Sequence, residues 1–580
     1  MATIATQPVE KLASTLASQG LDIEKTVSHQ QDLGIKDDAS SDRKQEGVKD
    51  IEAVTTIWDK SVLWMMFGLL YLVSFSDKLL VDVQGNLNPY VTSSFNEHGL
   101  TPTVNIVASV IGATCSLTIA KIIDVWGRVE GFVVLLAINL LGNILKAVCK
   151  NMYTYAAGHT LYWVGHIGLL YVIDIMLADM TTLRNRIIIY GLNGTPTIAT
   201  TFAGPKIAEL FYNEVNFRWA FGAFAIILVG FCIPVITVLL WHKRKAINSG
   251  LILKESSGRT TIQSIWYYVI QFDVGFVLIL LPFNLASNIG KGWGEGRMIA
   301  MEVVGVVLLV AFALWEKYLA PVQMFPFKFL TDRTIIGACL LYFFMFVSIF
   351  CWDAYYISYL QVAHDQSISA SGYILNSFAL TSAFISPFIG LLIRYTGDFK
   401  WFSYGGVPFV ALGTTLLIHF RKPETHVGLL VMCQVLNGIG TGIWAMCGEL
   451  GIMASVSHQE IAVAIAIFYL FGGIGASVGF AIAGGIWVNV LPNQLIKHLP
   501  DDAKDQWADI YGSLVIQQEW PVGTPIRDGI IAAYADVQRK MVIAGSAFLP
   551  IMLICIFLFK NINVRKLEEE KGKQTKGNVF

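Results

Sequence analysis

Long apolar runs alternate with short charged connections from about residue 60 almost to the C-terminal end. A helix needs about 20 mainly apolar residues to cross a hydrocarbon core of about 30 Å. Runs of that length fall near 62–82, 103–121, 131–149, 154–178, 187–209, 218–241 and 265–287. Others follow near 298–316, 335–357, 370–393, 402–420, 427–451, 461–489 and 541–560. Backbone amides and carbonyls find no water in lipid, so each run must be a helix. A transmembrane barrel would instead alternate apolar and polar residues in segments of about ten. The pattern predicts an all-α polytopic membrane protein with about fourteen spanning helices.

Basic residues in the short connections set the orientation. With residue 60 in the cytosol, the connections on that side hold Lys121, Arg128, Arg184, Arg186, His242-Lys243-Arg244-Lys245, Lys328, Arg394 and Lys400. The first connection on the other side, Val83 to Pro102, holds no Lys or Arg. This is the positive-inside asymmetry, and an even number of crossings leaves both termini cytosolic. Residues 1–57 are polar, lack a signal-like apolar core and read as a disordered cytosolic tail. Residues 561–580 read as a short cytosolic tail. Segment 491–540 carries Trp507, Tyr511, Trp520 and Tyr534, and reads as an extracellular lid-like loop with a short amphipathic helix over 526–537.

Composition narrows the function. The chain is 54% hydrophobic and 14% charged, against roughly 25% charged in soluble domains; too little polar surface remains to cover a globule in water. A net charge of −1 excludes a basic nucleic-acid binder. The eight cysteines stand singly in or beside apolar runs, without CxxC or Cys/His spacing, so neither a disulfide framework nor a metal site is expected. Gly473-x-Gly475-x-x-x-Gly479 lies inside an apolar run with no strand before it, which reads as close helix contact and not as a nucleotide loop. No catalytic constellation is visible. A carrier, not an enzyme, is the reading.

Two connections repeat a frame with reversed charge. One reads Ala120-Lys-Ile-Ile-Asp124-Val-Trp-Gly127-Arg128, the other Gly390-Leu-Leu-Ile-Arg394-Tyr-Thr-Gly397-Asp398. The first resembles the G-x-x-x-D-x-x-G-R loop of the major facilitator superfamily, with Ala120 in place of the first Gly. Asp124, Gly127, Arg128, Arg394, Gly397 and Asp398 are then candidates for a conformational latch, broken and remade as two halves rock. Further segments are more specific: Ser76-Asp77, Ser93-Ser94-Phe95-x-x-His98-x-Leu100, Ala178-Asp179-Met-Thr181-x-Leu183, Tyr355-Tyr356-Ile-Ser-Tyr359-Leu360-Gln361-Val362-x-His364, Ser371-Gly372-Tyr373-Ile374-x-Asn376, Tyr511-Gly512-Ser513-Leu514 and Tyr534-x-x-Val-Gln538-Arg539. Together they resemble the fungal siderophore–iron transporters, a fourteen-helix major facilitator family.

That resemblance implies two pseudo-symmetric six-helix bundles plus two extra helices: an N-terminal bundle over 58–245, a linker with the additional helices over 246–318, a C-terminal half over 319–490, and a last helix over 541–560. It implies proton-driven import of a ferric siderophore by a monomer in the plasma membrane or endosomal vesicles, with no resident cofactor, because the iron is cargo. A drug–proton antiporter, or a relative carrying haem or glutathione, is the alternative. The antiporter G-x-x-x-G-P-x-x-G-G pattern survives only as Gly204-Pro205, which lowers that reading.

Ionisable groups inside a bilayer are costly and mark function by default. Asp77, Asp82, His159, His166, Asp174, Asp273 and Asp353 are the proton-coupling candidates, with Asp179, Glu302 and Glu449 as rivals. Lys78 and Asp82, four residues apart, are placed to pair on one helix face. His159 and His166 share a face with Tyr162. Amide- and aromatic-rich positions suit an amide- and hydroxamate-rich cargo. These are Asn88, Tyr90, Tyr355, Tyr359, Gln361, His364, Tyr373, Asn376, Trp444, Tyr511 and Tyr534, with Asn86, Asn88 and Tyr90 expected on the outside loop.

Overall fold

The computed structural model describes residues 57–249, 296–318, 327–457 and 460–571, together with 51, 54 and 55. The expected N-terminal tail, the expected span 265–287 and Asp273 lie outside the described residues, as do the side chains of Asp124 and Glu302. Among the described residues the structure is helical, and its β contact is an isolated bridge between Asp398 and Asn563. Eleven helices there are long and apolar enough to cross a membrane.

The first half comprises α1 (Lys60–Ser93), α2 (Thr101–Trp126), α3 (Arg128–Val148), α4 (Met152–Asp179), α5 (Leu183–Gly194), α6 (Pro196–Leu210) and α7 (Phe217–Asn248). An intervening helix, α8 (Gly296–Tyr318), turns valines such as Val303 and Val307 outward. The second half comprises α9 (Arg333–Asp353), α10 (Tyr356–Ala363), α11 (Ile368–Thr396), α12 (Lys400–Phe420), α13 (Val427–Ser455) and α14 (Ile461–His498). Short helices α15 (Trp507–Gly512) and α16 (Leu514–Gln518) precede α17 (Pro525–Ser546), α18 (Leu549–Phe557) and α19 (Val564–Lys571). Within the first half α3 lies on α4, and α7 closes against α1 and α3. The halves meet where α2 packs on α14 and where α5 and α6 pack on α11.

Three element boundaries differ from the sequence reading. Helix α1 runs on to Ser93 through Pro89, so Asn86, Asn88 and Tyr90 sit on a helix and not on an outside loop. Their polarity lowers the local hydropathy, yet all three turn inward. The run 187–209 is two helices, broken where Pro196 starts α6 and lacks an N–H to continue α5. The amphipathic 526–537 stretch belongs to α17, which runs on toward the membrane with α18; the segment between α14 and α17 is therefore shorter, from Leu499 to Thr524.

Gly127 breaks α2 from α3 at φ 114° and Gly397 ends α11 at φ 77°, a region costly for any residue with a Cβ. Arg128 gives its Nε to Asp179 Oδ2 at 3.2 Å, both buried, and its NH1 to the Ile123 carbonyl. Asp179 is thus a buried ion-pair partner, not a solvated helix end. The second copy is held differently. Asn563 Nδ2 donates to Asp398 Oδ1 at 3.1 Å and to the Thr396 carbonyl at 2.9 Å, and Val564 N–H donates to the Gly397 carbonyl at 2.9 Å. Among the described residues Arg394 forms no ion pair.

Candidate transport site

Between the halves lies a cavity of about 490 Å³. α1 contributes Asp82, Gln84, Asn86 and Asn88; α2 adds Asn105 and Ser109; α4 adds His159, Tyr162 and Trp163. The second half supplies Tyr342, Phe346, Trp352 and Asp353 from α9 and Asn376 from α11. Each half therefore presents one carboxylate, Asp82 or Asp353, to the same space. Five polar atoms of wall residues are buried without a protein hydrogen-bond partner: Asp82 Oδ2, Asn86 Oδ1, Tyr162 OH, Trp352 Nε1 and Asn376 Nδ2. Buried polar atoms are satisfied in the great majority of cases, so a group of unpaired atoms in residues that line one cavity is a departure that calls for an explanation.

Close helix approach builds this wall. Gly204 of α6 lies against Asp82, and Gly372 of α11 against Asn86 and Pro205; a Cβ at either glycine would collide with these neighbours. The surviving Gly204-Pro205 pair thus lets three helices converge at the cavity edge. Lys78 does not pair with Asp82: its amine donates to the Asn193 and Gly194 carbonyls at 3.2 and 3.5 Å, at the α5–α6 break.

Behind the first-half wall runs a buried polar chain. Asp77 Oδ2 stands 2.6 Å from His166 Nδ1. Tyr162 stacks on His166, and His159 stacks on Tyr155. Lys146, fully buried, reaches His159 Nδ1 at 3.2 Å and Gln84 Oε1, and lies 4.7 Å from the Tyr162 ring centroid and 4.5 Å from that of Phe221. Gln84 continues the chain to Asn143 at 3.2 Å. Lys146 and Gln84 were missed by the sequence reading. Lys146 sits near the end of an apolar run, where a lysine usually marks the interface.

Most aromatic candidates gather elsewhere, at the Ser93 end of the molecule. Tyr90 OH donates to Gln361 Oε1 at 2.8 Å, bridging α1 to α10. Tyr355 OH donates to the Gly99 carbonyl at 3.1 Å and its ring stacks on Trp487 at 3.6 Å. His98 Nε2 lies 3.2 Å from Ser358 Oγ, within hydrogen-bonding distance. Tyr511 lies against Gly99, and burial pushes its phenol up to about 12, so it stays protonated. Tyr534 OH donates to Gln517 Oε1 at 2.6 Å, and Leu514 N–H donates to Ser93 Oγ at 3.1 Å. Tyr359 stacks on Tyr356 and meets His364 edge-on. These groups close the Ser93 end and do not line the cavity. Trp444 is core, donating Nε1 to the Ser403 carbonyl at 2.8 Å, and Tyr373 is 37% exposed beside Phe202.

Tyr90→Phe is expected to weaken this closure by about 1 kcal/mol, roughly five-fold in the open fraction. A cysteine placed at Asn105 on the cavity wall would then react faster with a membrane-impermeant thiol reagent. Equal labelling rates in the two backgrounds would show that the bridge restrains nothing.

Comparison with known proteins follows this geometry. A family profile described as the fungal trichothecene efflux pump matches residues 91–369. A protein of Ajellomyces capsulatus named MFS siderochrome iron transporter 1 is 52% identical over 98% of this chain and 100% of its own length. The siderophore iron transporter mirB of Emericella nidulans is 39% identical over 93% of this chain and 92% of its own. Among solved structures, an inward-facing bacterial homologue of the human lysosomal transporter Spinster superposes with a TM-score of 0.54 at 12% identity, covering 88% of this chain and 99% of that one. The human organic anion transporter TETRAN gives 0.51 at 12% identity, covering 86% and 99%. A bundle pair of this shape, matched end to end by such relatives, identifies a multi-pass membrane transporter and not an enzyme: the chain belongs to the MFS siderochrome iron transporter family.

Proposed function

We propose that this protein imports ferric siderophores, carrying protons with them, by alternating access of its two halves. The observation that carries this reading is the set of orphaned polar atoms around the inter-half cavity. Amides, a phenol, an indole N–H and a carboxylate with unspent hydrogen-bonding capacity suit a cargo rich in amide and hydroxamate groups. Iron travels inside its chelator, so the protein needs no ligands of its own for the metal. Among the described residues, no group of three or more His, Cys, Asp or Glu is arranged to hold an ion. About fourteen spans, a monomeric carrier, cytosolic termini and residence at the plasma membrane or in endosomes complete the reading. On that orientation the Lys60 end of α1 faces the cytosol. One proton moving inward through 100 mV releases about 2.3 kcal/mol, enough for accumulation of roughly 50-fold per charge.

The charge of the wall favours one chelate class. Asp82 and Asp353 face the cavity, whereas the cations behind it are turned away. Lys146 points to Gln84 and His159, and Arg421 donates to the Trp352 carbonyl and to Gln538 at 3.0 Å. No lysine or arginine among the described residues lines the cavity. Three hydroxamates neutralise ferric iron and give an uncharged complex; three catecholates give a trianion, which this wall would repel. A unit charge pair at 4 Å is worth about 4 kcal/mol at an effective dielectric constant of 20. Uptake of a ferric trihydroxamate is therefore expected to exceed that of a ferric tricatecholate by at least about ten-fold.

The test is radioiron uptake in iron-starved cells expressing the protein, with both chelates and with a protonophore. Trihydroxamate uptake that collapses with the protonophore supports the reading. Efflux of dyes without uptake of any ferric chelate would favour the exporter suggested by the trichothecene-pump profile. Preferred uptake of the tricatecholate would overturn the charge argument.

A further inference from the structure

We propose that Glu449 and Asp174 share one exchangeable proton through Tyr469, and that this proton holds the two halves together at the Lys60 end. The inference rests on the proton-coupled reading above and gives the proton a place within it.

Tyr469 of α14 sets its hydroxyl 2.7 Å from Asp174 Oδ2 on α4 of the other half, and 3.5 Å from Glu449 Oε1 on α13. A phenol has one hydrogen. Given to Asp174, it leaves the phenol oxygen facing a carboxylate oxygen with no hydrogen between them. A proton on Glu449 fills that gap: Glu449 donates to Tyr469, and Tyr469 donates to Asp174. The three groups then form one directional chain across the interface. With Glu449 ionised, two negative carboxylates face each other across one hydroxyl and the contact becomes repulsive.

The surroundings offset that repulsion only in part. Lys78 from α1 lies near Asp174 but gives its amine to the α5–α6 carbonyls. Arg186 from α5 lines a small hollow with Glu449 and gives its NH2 to the Ala178 and Thr181 carbonyls at 3.1 and 3.3 Å. Tyr190 of α5 gives its hydroxyl to the Asp174 carbonyl at 2.5 Å, Tyr342 from α9 lies near Glu449, and Asp179 farther along α4 is held by Arg128. The hollow beside Glu449 has a volume of about 10 Å³, room for about one water molecule to receive a departing proton. Two further contacts between the halves flank the chain on the same side: Tyr171 OH donates to the Ala462 carbonyl at 2.6 Å, and Ser116 Oγ to the Ala466 carbonyl at 3.0 Å. A proton that enters with the cargo and leaves from Glu449 to water at the Lys60 side thus turns a bonded interface into a repelling one. Release follows opening.

The experiment uses the full chain in proteoliposomes, with ferric trihydroxamate uptake followed as a function of pH under an imposed acid-outside gradient. Glu449→Gln keeps the shape and fixes the neutral state. It is expected to slow uptake by at least about ten-fold and to flatten the remaining dependence on pH. Glu449→Asp, which keeps a titratable carboxyl, should restore the pH dependence, and Asp174→Asn should flatten it as Glu449→Gln does. A gradient-driven wild type alongside a Glu449→Gln variant with the wild-type pH profile overturns this proposal and leaves proton coupling standing. A wild type that transports the chelate but ignores the gradient removes the coupling reading and this proposal together. Should Glu449→Gln not assemble, Asp174→Asn decides alone: a flattened profile supports the shared proton and an unaltered one overturns it.

Discussion

Asp77→Asn is expected to leave protein abundance at the membrane near normal while abolishing accumulation of cargo against a gradient. Asp77 and His166 are 1% and 8% exposed, and their facing atoms stand 2.6 Å apart on different helices. Asp77 Oδ1 has no partner of its own, so the carboxylate depends on the imidazole. Removing one partner of a buried pair costs about 3–5 kcal/mol when the other is left charged; the asparagine keeps the volume and part of the hydrogen bonding, which spares the fold. Its amide cannot take up and release a proton. Exchange of labelled for unlabelled cargo at equal concentrations should persist in the variant, because it needs no net proton movement. Equal accumulation by variant and wild type would remove Asp77 from the mechanism, and loss of protein from the membrane would make the pair structural.

Gly142→Val is expected to produce the largest loss of folded protein. Here α3 and α4 touch backbone to backbone: a Cβ at Gly142 would collide with the Tyr162 amide and lie 2.6 Å from its Cα and 2.7 Å from the Gly158 carbonyl. Neither obstacle is the movable tip of a side chain. Overpacking costs about 1–3 kcal/mol even where side chains can shift, so a rigid backbone places this site at the upper end or beyond. Small residues at such crossings are what membrane helices use to approach closely. Yield of monodisperse protein from detergent and its thermal midpoint would report the effect. A variant with wild-type yield and midpoint would mean that the two helices can separate freely. Since α4 also carries His159, Tyr162 and His166, any partial separation should disturb transport before it unfolds the chain.

Much of the helical architecture was readable from residue order alone, for a physical reason. Lipid forbids unsatisfied backbone, so an apolar run of sufficient length fixes a helix. The same rule misleads where a helix borders an internal polar space. Asp82, Gln84, Asn86 and Asn88 lower the hydropathy of α1 as a loop would, although they line the cavity. Single residues were recognisable as costly to bury, and Asp77 and His166 were both singled out, but their pairing joins positions 89 apart in the chain. The Tyr355 to His364 segment shows a different gap. Its aromatic and amide content suits binding and suits sealing equally well, and only the partners of Tyr90, Tyr355 and Gln361 show that it seals. Lys146 and Gln84 carried no signal, since a buried lysine solvated by amides and ring faces needs no charged neighbour within reach in the sequence.

The C-terminal stretch has one more role to play. Asn563 and Val564 are stitched to Thr396, Gly397 and Asp398 at the end of α11, and the helix that follows, α19, rests on α5 of the opposite half. On the alternating-access reading proposed above, a strap anchored on both halves would set how far they swing apart. A turnover of that kind, parting the bundles at this face, would have to peel the strap from one anchor and lay it down again, so a bulky fusion attached just beyond Lys571, or a protease that trims the strap, is expected to change the stroke of the carrier without touching its cargo.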